Sequence, residues 1–570
     1  MVLKPHNARL LEALPPFLLM IIFGLLYGGT LARNLFLEDS AEFITASLTL
    51  SIPHPSGYPL YILASKLFAL IPLFDSVVLQ YNFFSMALTM CAIIAAYYAF
   101  KRLFKNSIIA FSLALLFGMS PSIWVHATYA EVYALNTLLL ALMLLLYTHY
   151  RAHRRIRTLY ALAFVFGLGA SNHFLILAAT PVCIAFLVRS VSWKKNKTTF
   201  LKVISSFTVG LLPYIYIPIR STAGAAFSWF NGDLGKLLSY NIPTGHWVSS
   251  HTVRYVSDIF TTTASSYSWF GIILLVAGMI ILFHRKHPER WILFSTLLLF
   301  SVGMLVLLVG RQEYTQFASW FYKQLHGPFL LFALIPIGVV LTQMYESRYR
   351  MWLFYTVLLA LLIWPVSTIG DRYATQDRSS YTFFEEYTKQ ILDSLDGKTP
   401  LFVHHDHIMN DTLVFGLGYQ RYIKQVNVIE PIYSLTPIFL PPNDFPRSEL
   451  PEFQGRESRL VSRYITEHPY FYTSFPVVAW HANGYAYGSF SQEAQNYFTP
   501  PNLFDDAANN NPYHQSLVAK YYYDHAAHAF DKGSLKSGQW FLIQAIEYDP
   551  ETFSDYYKKI VALRDAYLKN

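Results

Sequence analysis

With 54% hydrophobic residues, a mean hydropathy of +0.32 and 14% charged residues over 570 positions, the chain is not an ordinary water-soluble protein. Its formal charge of +8 hides two opposed parts: residues 1–370 carry 26 Lys and Arg against 11 acids, whereas residues 371–570 carry 17 against 24. The basic excess belongs to the apolar part, so no nucleic-acid partner is needed to explain it. Cys91 and Cys183 both lie in apolar segments, which excludes a disulfide framework and a cysteine-built zinc site.

In chain order, apolar segments at about 14–33, 77–99, 107–123, 133–150, 158–170, 174–188, 203–219, 267–283, 291–309, 328–345 and 351–369 predict about eleven transmembrane helices. The pair at 158–188 reads either as two short spans or as one long helix broken at Asn172-His173. The first segment lacks a small-residue cleavage site and is expected to stay as a span. With the N-terminus cytoplasmic, 19 of the 26 basic residues fall in cytoplasmic loops, and the bias alternates correctly at every loop. The C-terminus and the loops around Asp39, Asn172 and 220–266 are then expected outside.

The stretch from Leu37 to Leu60 follows the first span. Three of the 11 acids of the first 370 residues fall at positions 38 to 42. Carboxylates are costly beside hydrocarbon, so a cluster there is a functional candidate. Asp39 and Glu42 are three apart, which puts both on one face of a helix. The same pattern is also a helix-start signature, with Asp39 as N-cap and Glu42 reaching back. Both readings stand at this point. His54-Pro55 and Tyr58-Pro59 bias the residue before each proline towards extended conformations, and Gly57 permits a turn between them. The expectation is a rigid, non-helical bend carrying an imidazole.

Further on, polar groups gather at outer span ends. Glu131 is the only acid between Asp75 and Asp233, Asn172-His173 interrupts an apolar run, and Arg220 closes another. Individually each has a local use: Glu131 as a helix cap, Asn172-His173 at a helix end, Arg220 snorkelling to the interface. Their occurrence at one membrane face points to a shared polar cavity. The 220–266 loop, with Trp229, Tyr240, Trp247 and Tyr255, is expected to cover that face, and Arg311, Glu313 and Lys323 form another outer loop.

From Asp371 the character changes. Strands at 400–403 and 426–429 with a helix at 411–424 suggest a small α/β unit. The run His404-His405-Asp406-His407 invites a metal, but neighbouring strand residues point to opposite faces, so at most two converge and no metal site is expected. Residues 434–512 read as irregular. Residues 514–570 read as two or three amphipathic helices, with Gly538, Ala545 and Asp549-Pro550 similar to the second helix of a tetratricopeptide unit.

The residues that carry a family likeness are Asp39-Ser40-Ala41-Glu42-Phe43, His54-Pro55-Ser56-Gly57-Tyr58-Pro59-Leu60 and Tyr81-Asn82-Phe83-Phe84-Ser85. They are joined by Ala130-Glu131-Val132-Tyr133-Ala134-Leu135-Asn136, Gly167-Leu168-Gly169-Ala170-Ser171-Asn172-His173 and Pro213-Tyr214-Ile215-Tyr216-Ile217-Pro218-Ile219-Arg220. In order and spacing over about residues 30–250 the sequence resembles the GT-C superfamily of polytopic glycosyltransferases that use polyprenyl-phosphate sugars. The likeness is greatest to the branch containing the endoplasmic-reticulum O-mannosyltransferase of plexin-type immunoglobulin-like domains and its bacterial homologues. Ala41 stands where the family usually has glycine, and His404-His405-Asp406-His407 where relatives more often have a Gly-Asp-Asn type turn.

The resemblance implies a mainly α, GT-C-like transmembrane catalytic domain over 1–370, with its first outer loop at about 34–76. An extracytoplasmic α/β and irregular region would follow over 371–512, and a tetratricopeptide-like helical segment over 513–570. It implies transfer of one sugar, mannose as first guess, from a lipid-linked donor to a protein or glycan hydroxyl, with inversion. Asp39 would be the general base and Glu42 would orient it or the acceptor. Arg220, with His54 or His173, would face the phosphate, and Tyr58, Glu131, Tyr133 and Asn172 would help to bind substrate. No metal and no cofactor are expected beyond the donor, and the setting expected is a bacterial inner membrane, with the site facing outward. A transporter or flippase of a lipid-linked saccharide is the main competing class, disfavoured because polar groups crowd one face and inverted repeats are not evident. A membrane-anchored binding protein is the third reading, and eleven spans exceed what anchoring requires.

Overall fold

The computed structural model describes residues 5–37, 39–54, 56–190, 196–223, 225, 249–284, 319, 323, 325–347, 351–393, 401–403, 416, 419, 432–434, 472–473, 481–483, 486–488, 512–531 and 534–550. The chain divides into two compact units. One comprises Met1–Ala32, His54–Thr222 and Gly232–Ser379; the other comprises Arg33–Pro53, Ala223–Asn231 and Ser380–Asn570.

The first unit is built from helices α1 (Pro5–Thr30), α3 (Pro59–Phe68), α4 (Val77–Phe104), α5 (Ser107–Gly118), α6 (Pro121–Trp124), α7 (Val132–His153), α8 (Ile156–Ala170), α9 (Thr180–Ser190), α10 (Lys197–Gly210), α11 (Tyr216–Thr222), α12 (Ser249–His284), α13 (Gly327–Glu346), α14 (Met351–Ser367) and α15 (Ile369–Gln376); α2 (Ser40–Thr49) belongs to the second unit. Among the described residues, four helices are long and apolar enough to cross a membrane, at Glu12–Thr30, Val77–Phe104, Val132–His153 and Arg254–His284, and up to seven if each bent pair is one span. The bent pairs are Ser107–Gly118 with Pro121–Ala127 at 70°, Lys197–Gly210 with Leu212–Thr222 at 43°, and Met351–Ser367 with Ile369–Gln376 at 42°. The span expected at 291–309 lies outside the described residues. The chain is thus a mainly α, polytopic membrane protein.

Local chemistry starts and stops these helices. Ser76 caps α4 through Leu79 N, and Asn106 Oδ1 caps α5 by accepting from Ile108 N and Ile109 N at 2.8 and 3.1 Å. Lys105 and Arg154 end α4 and α7 in the left-handed region, both at φ 51°, with a cation at the negative end of the helix dipole. The 158–188 segment breaks at Ser171, Asn172 and His173, with α8 before and a tight helical turn, Phe174–Ala179, after. α8 lies against α10 backbone to backbone: a Cβ on Gly210 would come within 2.4 Å of Phe164 O, so glycine is required there.

α12 is kinked at Ser268 (φ 66°, ψ 167°), which interrupts its ladder of hydrogen bonds. Carbonyls just before the kink accept elsewhere. Ser265 O accepts from Arg372 Nη2 at 2.7 Å and from Trp364 Nε1 at 3.2 Å, while Arg372 Nη1 reaches Met119 O at 2.5 Å. A guanidinium buried to 5% exposure is tolerable in an apolar unit because carbonyls surround it.

The second unit contains α2, α16 (Phe383–Asp393), α17 (Pro512–Asp531), α18 (Leu535–Tyr548) and a five-stranded sheet in the order β2-β1-β3-β5-β4. The strands are β1 (Leu401–Val403), β2 (Ile432–Ser434), β3 (Tyr472–Thr473), β4 (His481–Asn483) and β5 (Ala486–Gly488). β1 runs parallel to β2 and β3, whereas β5 is antiparallel to β3 and β4. The run His404 to His407 and the strand expected at 426–429 lie outside the described residues. α17 and α18 pair through Tyr522, whose ring packs on Trp540 and stacks on Tyr548 with centroids 5.7 Å apart.

Candidate functional site

In the first unit, the polar residues of four sequence motifs meet. The amide of Asn82, fully buried on α4, donates to Ala32 O at 2.9 Å and accepts from Ala130 N at 2.8 Å. One turn on, Ser85 Oγ accepts from Glu131 N at 3.0 Å and lies 3.3 Å from the Tyr61 hydroxyl. These two side chains supply partners that an irregular, buried backbone at 130–131 lacks within itself. Glu131 starts α7: its carboxylate accepts from Val132 N at 2.7 Å. Asn172 Nδ2 donates to Val132 O at 3.1 Å, so the corner after α8 is tied to the first turn of α7.

Around that corner lies an aromatic group. Tyr58 stacks on His173, centroids 5.5 Å apart, and shares a hydrogen bond of 2.7 Å with His54 Nε2. Tyr133 packs on His173 at 5.0 Å and on His126 at 5.1 Å. Tyr58, the N-cap of α3, has φ 41° and ψ 45°, so the extended conformation expected before Pro59 is not adopted. A left-handed tyrosine costs about 1 kcal/mol or more. Contacts to both histidines offset it by holding the ring. Pro59 at the first helical position and Gly57 at φ 78° complete the bend.

His173 is buried, and its Nδ1 accepts from Leu175 N at 3.1 Å. Burial, and then the neighbouring His54, hold its pKa down to about 3. An accepting Nδ1 and a disfavoured charge agree: this ring is neutral at ordinary pH. Arg220, on α11, is half-buried and hydrogen-bonded to Tyr216. Tyr214, just before that helix, reaches Ala170 O at 3.0 Å beside the Asn172 corner.

In the second unit, Asp39 occupies the N-cap position of α2, yet its side chain makes no capping hydrogen bond. The first turn of the helix closes through Phe43 N to Asp39 O at 2.9 Å. Glu42 lies in the first turn, buried to 2% exposure, and the two carboxylates come within 4.8 Å of each other. One carboxylate can thus accept a proton while the other orients it. Two oxygens at such a separation are also of the type that a hard cation takes.

Asn82, Ser85 and Tyr61 were less evident from single residues than Glu131 or His173. Asn82 and Ser85 stand in a quoted motif, but only their partners 46 to 50 residues away show what they do. His126 had no sequence signal beyond a polar ring in an apolar run.

Comparisons with known proteins bear on this arrangement. Over 83% of this chain and 98% of the other, the structure superimposes on apo ArnT from Cupriavidus metallidurans with a TM-score of 0.56 at 11% identity. ArnT from the same organism bound to undecaprenyl phosphate gives 0.56 at 12%, over 84% and 99%. A family model, the protein O-mannosyl-transferase TMEM260 N-terminal domain, matches residues 39–197. The fold is therefore that of ArnT, and the stretch 39–197 is similar to the N-terminal domain of the protein O-mannosyl-transferases. That family match begins at Asp39 and runs through the Glu131 and His173 motifs. The protein O-mannosyl-transferase TMEM260 of Mus musculus is 31% identical over 218 residues, 37% of this chain and 31% of that protein. Its counterpart in Dictyostelium discoideum is 23% identical over 452 residues, 69% and 54% respectively. The chain therefore spans about a third to a half of the length of these curated relatives.

Proposed function

We propose that the chain is a membrane glycosyltransferase that moves a single sugar, mannose first among candidates, from a polyprenyl-phosphate donor to an acceptor hydroxyl on the extracytoplasmic side. The observation that carries this reading is the Asp39 carboxylate, which stands at a helix start without being spent on capping it. The family match beginning at that residue supports it, as do the names of the relatives and the lipid phosphate bound by the ArnT neighbour.

The chemistry is a single displacement. The acceptor oxygen forms its bond to the anomeric carbon as its proton passes to the Asp39 carboxylate, with Glu42 orienting Asp39 or the acceptor. The anomeric C–O bond to phosphate breaks, its electron pair stays on the phosphate, and configuration inverts. The departing phosphate needs cations to meet its growing charge. His173, held neutral, is unsuited to that role, which leaves Arg220 with His54. His173 then serves to hold Tyr58 and Tyr133. The reading needs no metal or cofactor, and a protein or glycan is the acceptor. A bacterial inner membrane is the setting we favour.

The test is radiolabel transfer from polyprenyl-phosphate mannose to protein and glycan fractions in membranes containing the chain. Asp39→Asn should lower transfer by about a hundredfold or more. Full transfer by Asp39→Asn together with loss in Glu42→Gln would exchange the two roles. Transfer should persist in excess EDTA; its loss, with recovery on adding one divalent cation, would make the two carboxylates metal ligands instead.

A further inference from the structure

The segment that carries Asp39 and Glu42 is held at its entrance by residues about 350 positions later in the chain. Leu35 N donates to Glu385 Oε2 at 2.8 Å. Asn34 Nδ2 donates to Tyr381 O at 3.3 Å, and the Phe36 ring packs edge-on to Tyr381 with centroids 5.0 Å apart. Tyr381 in turn shares a hydrogen bond of 3.2 Å with His514 Nδ1, and Phe383 packs on the same imidazole. Leu35, Phe36, Tyr381 and His514 are all at most 1% exposed. Residues 33–53 and 380–570 fall in the same compact unit.

We propose that Glu385 is a positioning residue: through the Leu35 amide it sets the height and direction at which the chain enters α2, and so where the Asp39 carboxylate stands. The inference rests on the reading of Asp39 as the base. α2 has ten residues, and a helix that short does not hold itself in place in water. Asp39 makes no capping bond, so a hold on the chain just before it bears directly on where the helix starts. A carboxylate on a buried backbone N–H is among the stronger hydrogen bonds a protein offers, and a buried amide without an acceptor is costly. Glu385 meets both needs four residues before Asp39. The residue that tunes the site therefore lies in the C-terminal region, far from every motif of the N-terminal match.

The experiment uses full-length protein in detergent or nanodiscs. It measures hydrogen exchange over residues 33–49 and transfer from polyprenyl-phosphate mannose, for Glu385→Ala, Glu385→Gln and Asp39→Asn. Glu385→Ala should raise exchange at 33–49 alone and lower kcat about tenfold or more, with the donor KM nearly unchanged. Glu385→Gln keeps an oxygen that accepts from Leu35 N, so it should stay within about threefold of the parent. Unchanged exchange and rate in Glu385→Ala beside an inactive Asp39→Asn overturn the positioning role and leave the base assignment standing. Full activity in Asp39→Asn beside raised exchange in Glu385→Ala overturns the base assignment and with it the positioning of a base, though not the anchor. Exchange raised throughout the chain in Glu385→Ala makes the residue merely structural and overturns the proposal.

Discussion

Two acids in this chain stand at the same place in a helix and do different things. Glu131 precedes α7 and spends a carboxylate oxygen on Val132 N. Asp39 precedes α2 and makes no such bond. By pattern both are helix caps, and aspartate is the better capping residue of the two. The inversion teaches that a cap position is only an opportunity. At 130–132 the backbone is buried, and Asn82, Ser85 and Glu131 together supply partners for its three amides. The first turn of α2 closes through Phe43 N to Asp39 O, with no capping bond from the Asp39 side chain.

The sharpest way to break this contrast is Asp39→Asn. Asp39 makes no capping bond, so thermal stability should hold while transfer falls by the largest factor of any substitution considered. Parallel loss of stability and transfer would put Asp39 with Glu131 as a structural acid. Asn82→Leu comes next. It leaves Ala32 O and Ala130 N buried without their partner, which should cost about 2–4 kcal/mol and lower the thermal midpoint in detergent. A midpoint equal to the parent's would mean that water replaces the amide.

His173 supplies a pH test. Its folded pKa, about 3, lies below the usual 6.5. Between those values the unfolded chain binds more protons, so stability is present in full above about 6.5 and declines as pH falls, by up to about 1.4 kcal/mol per pH unit. Thermal midpoints measured from pH 7 to pH 5 should therefore fall more steeply in the parent than in His173→Gln. Equal slopes would show that the ring does not stay neutral and buried. The smallest effect belongs to Glu131: Glu131→Ala should cost about 1 kcal/mol. Glu131→Gln, which can still accept from Val132 N, should cost less, with transfer near the parent level in both. A rate loss in Glu131→Gln without a stability change would instead support the expected role of Glu131 in binding substrate.

The apolar segments were readable because hydropathy and length are local properties. α4 and α7 start within about a residue of the segments expected at 77–99 and 133–150, and run on through Phe104 and His153. The break at Asn172-His173 was also readable, as two polar residues in an apolar run. The bend at Tyr58 was foreseen, but its backbone was not. A proline rule describes the isolated dipeptide, whereas the two histidines that hold Tyr58 come from 4 and 115 residues away. Arg372 carried no visible signal either, since its carbonyl partners exist only where α12 kinks and α5 ends.

By itself the sequence determined that this is a polytopic helical protein, where its acids are scarce, and at what spacing its short polar motifs fall. Those facts follow from side-chain hydrophobicity and chain spacing, which need no partner. Only the tertiary structure decided that Glu131 caps its helix while Asp39 does not, that His173 is neutral, and that Glu385 holds the entry to α2. Each of these depends on which donors and acceptors meet after burial. A buried polar group must take whatever partner the packing brings, and that partner is often hundreds of residues away.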